Sequence, residues 1–122
     1  MLKKTRGELE AEFTRAIIRF EKDHLGRGPL EARTFLLGDL LVVRLRGVLT
    51  PAELKLAETR EGRVLVKETR RQLFETSRPL LEGMVREILE CNLVSLHTDM
   101  STRTGERLVV LTVDENLDER WR

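Results

Sequence analysis

The sequence predicts an α+β domain of two layers, with elements in the order α-β-β-α-α-β-β and helices packed on one face of an antiparallel four-stranded sheet. Three observations predict it. Apolar residues recur at three- and four-residue spacing near the start of the chain and again through its middle, the period of a helix with one buried side. Two pairs of β-rich runs, 32–37 with 40–46 and 93–99 with 106–113, each flank a turn-forming segment. A chain of 122 residues fills one core but not two, so layering the helices on one sheet is the economical solution. Residues 1–122 are read as a single domain, with 1–6 and 114–122 as mobile tails.

The first helix, about residues 7 to 24, carries Leu9, Phe13, Ala16, Ile17 and Phe20 on one side and Glu8, Glu12, Arg15, Arg19 and Lys22 on the other. It stops at Gly26-Arg27-Gly28-Pro29, where glycine permits left-handed geometry and proline forbids continuation. Gly38-Asp39 separates the first two strands, and glycine first in a two-residue turn fits the II′ hairpin. In the second strand Leu41, Val43 and Leu45 share the core face. Leu40 and Val42 share the other with Arg44 and Arg46, so that face is apolar at one end and charged at the other. An apolar patch there suits a subunit contact and predicts a homodimer.

Thr50-Pro51-Ala52-Glu53 reads as an N-cap, a first-position proline and a capping-box glutamate. The short helix it starts runs to about Thr59 and ends or bends at Gly62. The next helical stretch has Val66, Leu73, Leu80, Met84, Ile88 and neighbouring apolar positions as its inner stripe. It breaks near Thr76 to Arg78, because Pro79 would cost roughly 3 kcal/mol inside an uninterrupted helix. After the second hairpin the charged tail from Asp114 frays, with Trp121 available to dock on the body or on a partner.

The 22 basic and 21 acidic residues leave a net charge of +1, mixed along the chain. Such a balance sets up no strong field toward nucleic acid, and four Phe, one Trp and no Tyr make no base-stacking platform. No apolar run approaches the roughly 20 residues of a membrane span, and the basic start lacks an apolar signal core. The reading is a soluble, cytoplasmic chain without direct membrane insertion. Its 35% charged residues, one Gln and two Asn make a thermophile-like composition. Cys91, the single cysteine, forms no intramolecular disulfide or CxxC site and reads as a small hydrophobe packed under the sheet.

The chemistry concentrates in His97-Thr-Asp-Met-Ser-Thr-Arg-Thr-Gly-Glu-Arg107, a connection longer than turning requires. Thr98, Ser101 and Thr102 offer hydroxyls, Arg103 and Arg107 offer forked donors, and Gly105 lets backbone N–H groups converge. Such a set binds a carboxylate, bicarbonate or phosphate. The alternative is a long turn whose hydroxyls cap their own backbone. His97 and Asp99, two apart on a strand, point to one face and with Glu106 or Arg107 form a titratable cluster. Two ligands are too few for zinc, and His24 is the only other imidazole. No catalytic residue, metal or cofactor is assigned. Arg27 follows a helix C-terminus, whose dipole repels anions, so its loop is a helix stop first, with Arg27 placed to close over a neighbouring site.

Gly26-Arg-Gly-Pro29, Gly38-Asp39, Gly47-Val-Leu-Thr-Pro-Ala-Glu53 and the 97–107 segment, in this order and spacing, resemble the MpsC family of small bacterial proteins. The resemblance extends from about Leu9 to Val113. It implies association with a sodium-translocating, membrane-potential-generating system whose other components are linked to inorganic-carbon uptake, and it supplies no catalytic residues. A chain without a membrane span does not itself translocate ions. The expectation is a non-enzymatic accessory of a membrane transport complex, homodimeric. The alternative is a sensor of a small anionic metabolite, using Thr98, Ser101, Thr102, Arg103, Arg107, Arg27, His97 and Asp99.

Overall fold

The computed structural model describes residues 4–121, Trp121 by its backbone alone. The expectations for residues 1–3, for Arg122 and for the Trp121 side chain lie outside the described residues. Helix α1 (Arg6–His24) starts at Thr5, whose hydroxyl accepts from the Glu8 N–H at 3.1 Å. Its apolar stripe, Leu9, Phe13, Ala16, Ile17 and Phe20, is buried as the spacing predicts. The chain then forms β1 (Glu31–Leu37) and β2 (Leu40–Arg46), joined through Gly38 at φ 62°, the left-handed value that favours glycine. Three helices follow, α2 (Pro51–Leu56), α3 (Arg60–Thr76) and α4 (Arg78–Leu89), then β3 (Leu93–Met100) and β4 (Arg107–Val113).

The sheet order is β1-β2-β4-β3, with every neighbouring pair antiparallel. The two hairpins lie side by side, and β2 and β4 meet at the centre. The helices cover one face. Beneath them lie Leu36, Leu41, Val43, Leu45, Val109, Leu111 and Val113, with Phe13, Ile17, Phe20, Phe74, Leu81, Val85 and Leu89 from the helices. This is the predicted α+β architecture, in the predicted element order. Cys91 is buried where α4 turns into β3, and burial pushes its thiol up to about 11.

Three expectations are corrected. The segment after Pro51 does not end at Gly62. Thr59 caps a new helix, its hydroxyl accepting from the Gly62 N–H at 3.0 Å, and Gly62 lies inside α3. A Cβ at Gly62 would stand 1.6 Å from the Leu56 carbonyl oxygen, so glycine is there for close approach. The inner stripe keeps Val66, with Met84 and Ile88 partly buried against the core, but loses Leu73 and Leu80. Gly62, Val66, Arg70 and Phe74 are the buried positions of α3, and Leu81, Val85 and Leu89 those of α4, while Leu73 and Leu80 are exposed. The buried line of α3 follows a four-residue ridge, which is inclined to the helix axis, and Leu73 stands off that ridge. Finally, the tail from Asp114 is held against the body rather than frayed. Asp114 accepts from the Asn92 backbone and side chain, the Leu117 N–H donates to the Gly38 carbonyl at 2.8 Å, and Leu117 is fully buried. A short 3-10 helix, Leu117–Trp121, completes the described chain.

Candidate functional site

Three charged residues occupy positions that the helical and strand periods assign to the core. Glu21 follows Phe13 and Ile17 at four-residue spacing on α1, Arg70 stands between Val66 and Phe74 on α3, and Arg107 begins the inward alternation Arg107, Val109, Leu111, Val113 of β4. None is more than 1% exposed. They converge where α1, α3 and β4 meet. Arg107 Nη1 is 3.5 Å from Glu21 Oε1, and Arg70 Nη1 is 3.7 Å from Glu21 Oε2.

The two arginines are held very differently. Arg70 forms a fork on Glu53, Nε to Oε2 at 2.7 Å and Nη2 to Oε1 at 2.5 Å, and Nη2 also donates to the Val48 carbonyl at 2.9 Å. Glu53 does this while closing the capping box of α2, accepting the Thr50 N–H at 2.9 Å. Arg107 instead lies over the Phe74 ring, 5.0 Å from its centroid, a cation–π placement. Its Nε and Nη1 have no hydrogen-bond partner, and neither do the two carboxylate oxygens of Glu21 or the Thr98 hydroxyl.

Charge placed so deeply shifts its own titration. Desolvation raises the Glu21 carboxyl above its ordinary value, against the lowering pull of Arg107 and then Arg70. Burial alone would raise Glu53 too, but hydrogen bonds from Arg70 and the Thr50 backbone outweigh it, and its carboxyl lies below the ordinary value. Desolvation likewise lowers Arg107, with Glu21 opposing, yet a guanidinium stays protonated.

Beside this cluster a groove of about 500 Å³ opens between α3 and the β3–β4 hairpin, lined by Val64, Lys67, Glu68, Arg71, Thr98, Asp99, Met100 and Arg107. Lys67 Nζ is 3.3 Å from Asp99 Oδ1. Arg71 is held by Glu68 and Glu75. The Asp99 carboxyl lies below its ordinary value, first through the Met100 N–H and then through Lys67.

Of the residues singled out in the sequence, the groove thus brings together Thr98, Asp99 and Arg107. Ser101 and Thr104 serve the turn itself. The Ser101 hydroxyl accepts from the Thr104 N–H at 3.2 Å, the Thr104 hydroxyl from the Glu106 N–H at 3.3 Å, and Gly105 takes φ 75°. Thr102 and Arg103 ride on the same turn and do not line the groove. Arg27 stands in the loop leading to β1, the opposite edge of the sheet from β3. His97 and Asp99 do share a face, but His97 pairs with Val110 and Asp99 with Leu108. Arg107 points to the other face, and Glu106 joins Arg44 at 2.6 Å. Strand alternation thus sets Arg107 apart from His97 and Asp99, while Glu106 lines a second pocket together with Asp99, Ser101, Lys67, Met100 and Leu108. Among the described residues no group of three or more His, Cys, Asp or Glu is placed to hold a metal ion.

Sequence reasoning missed Glu21, Arg70 and the second role of Glu53. The available signal was a charge standing in phase with an apolar stripe.

Among the described residues, no helix covers the far side of the sheet. In register across it run Leu37, Leu40 and Thr112, then Phe35, Val42, Val110 and His97, then Arg33, Arg44, Leu108 and Asp99. One end is apolar and the other charged, as the β2 alternation predicts.

Residues 5–115 match the family model described as Na+-translocating membrane potential-generating system (MpsC). The chain is 38% identical over 118 residues to "Uncharacterized protein YbcI" of Bacillus subtilis (strain 168), covering 97% of this chain and 95% of that one. It is 31% identical over 111 residues to "Uncharacterized protein YrhF" of the same organism, covering 89% and 90%. No solved structure matches significantly. Among the described residues no helix is long and apolar enough to cross a membrane.

Proposed function

The chain belongs to the MpsC family, and from that premise we propose that it is a non-enzymatic accessory of a membrane-potential-generating assembly, working as a homodimer through the uncovered face of its sheet. The family description supports the association. The observation that carries the mode of action is the bare apolar patch of Phe35, Leu37, Leu40, Val42, Leu108 and Val110. Contiguous apolar surface of this kind marks a contact site. A second copy is the occupant that fits best. Of the arginines bordering the patch, Arg44 is matched by Glu106 at 2.6 Å and Arg46 by Glu31 at 3.7 Å, while Arg33 lies over the Phe35 ring at 4.7 Å, which limits like-charge conflict between two such faces.

Sedimentation tests the dimer. The wild-type chain is expected to be dimeric at micromolar concentration, and Val42→Glu monomeric with its helix content unchanged. Leu65, exposed on α3, supplies the control, and Leu65→Glu should remain dimeric. A monomeric wild type, or dissociation by Leu65→Glu and not by Val42→Glu, would refute the sheet-face assignment. Retention of the chain on membranes carrying the assembly, lost when the assembly is depleted, tests the accessory role.

A further inference from the structure

The groove between α3 and the β3–β4 hairpin is where unsatisfied polarity inside the fold meets open space. Arg107 is 1% exposed; its Nη1 faces Glu21 Oε1 at 3.5 Å without a hydrogen bond, and its Nε has no hydrogen-bond partner. Thr98 adds a buried hydroxyl in the same condition. The two stand diagonally across the β3–β4 ladder, since Met100 pairs with Arg107 and Thr98 with Val109, a separation of about 7–8 Å that one ligand group between them can bridge. Buried donors left unmade are costly, and native folds seldom keep them without a partner.

We propose that this groove binds a small organic carboxylate with an apolar body, the carboxylate received by the Arg107 guanidinium and the Thr98 hydroxyl. Three features select that chemistry. At about 500 Å³ the space is far larger than the roughly 30 Å³ share of one water molecule and lies within the range of ligand pockets. Its walls are Val64, Met100 and the alkyl stems of Lys67 and Arg71, which suit hydrocarbon more than a second charged group. The rim cations are already matched, Lys67 by Asp99 and Arg71 by Glu68 and Glu75. A polyanion such as a nucleotide would therefore meet carboxylates at the mouth, whereas a single carboxylate meets a guanidinium that faces Glu21 through Nη1 at 3.5 Å and has no hydrogen-bond partner at Nε. The groove lies on the helical side of the sheet, so the inference is independent of the dimer.

Hexanoate is the probe, with hexanol and inorganic phosphate beside it, followed by amide chemical shifts of the full chain. Hexanoate is expected to bind saturably, moving signals of residues 64–71 and 98–107. Thr98→Val removes a hydroxyl that bonds to nothing, so the fold should survive while hexanoate weakens several-fold. Arg107→Lys should weaken it about tenfold or more, as a fork becomes a point charge. Hexanol binding as well as hexanoate would overturn the carboxylate assignment, and phosphate binding in its place would overturn the apolar body. No saturable response, or an unchanged affinity in Thr98→Val, would overturn the site itself. Should Arg107→Lys fail to fold, Thr98→Val still decides.

Discussion

Leu40 and Leu41 are chain neighbours on β2, yet Leu41 is sealed beneath the helices while Leu40 faces the side that no helix covers. Each face of this sheet carries an exception to the usual distribution of polarity. The covered face hides Glu21, Arg70 and Arg107 among hydrocarbon, whereas the bare face presents Phe35, Leu37, Leu40, Val42, Leu108 and Val110. Burying charge costs stability against an apolar equivalent, and exposed hydrocarbon invites association. Neither arrangement is what folding alone would choose. The difference teaches that the same strands serve two demands, one for a charged interior beside a groove and one for an apolar surface left open on the other side.

The covered face breaks first. Arg70→Met leaves Glu21 and Glu53 without their shared cation and should cost about 3–5 kcal/mol, the penalty for orphaning one member of a buried pair; urea unfolding measures it, and a loss below about 1 kcal/mol would mean that the cluster relaxes or hydrates. Next comes the neighbouring pair on β2. Leu41→Ala should cost about 2–5 kcal/mol whatever the protein concentration. The cost of Leu40→Ala should grow with concentration, as association links stability to protomer level. Equal, concentration-independent losses would erase the contrast between the faces.

The smallest effect is proton-linked. Glu21 holds its proton above the ordinary value of 4.5, so its proton-linked stabilisation is complete below pH 4.5 and is lost as pH rises through the raised folded-state value. Glu53, held low, has the opposite sign, stabilising above its ordinary value and losing that as pH falls. Comparing wild type with Glu21→Gln isolates the first. The wild type should lose ground to the variant as pH rises above 4.5, with a slope of at most about 1.4 kcal/mol per pH unit. Parallel urea midpoints from about pH 4 to 8 would show that Glu21 ionises in the fold as freely as in the unfolded chain.

Much of the fold was legible because it is locally written. The Gly38 turn, the Thr50–Glu53 capping box and the Leu9 to Phe20 stripe each need a few adjacent residues, and each stands where the sequence puts it. What escaped depends on tertiary contact. Leu73 and Phe74 are both apolar, and the packing of α3 on the body decides which is buried. Gly62 reads as a helix breaker until the Leu56 carbonyl is set against it. The site was half legible. The 97–107 segment does supply Thr98, Asp99 and Arg107 to the groove, but its richest stretch, Ser101 to Thr104, forms a turn, two of its hydroxyls bonding to the turn's own backbone. Arg70 and Glu21 are the partners that give Arg107 its meaning, and they lie on other elements, where a charge in phase with hydrocarbon reads as an interruption of the stripe.

Helix α2 is six residues long and buries none of them, too short to persist by itself. Its tie to the body runs through the Glu53 carboxylate, which closes its first turn and grips Arg70 at once. Fraying of α2 consequently removes the fork on Arg70 and leaves it the Val48 carbonyl and Glu21. Amide exchange in this peripheral turn then reports the release of that fork, and a ligand or variant that steadies the ion cluster quiets a helix it never touches.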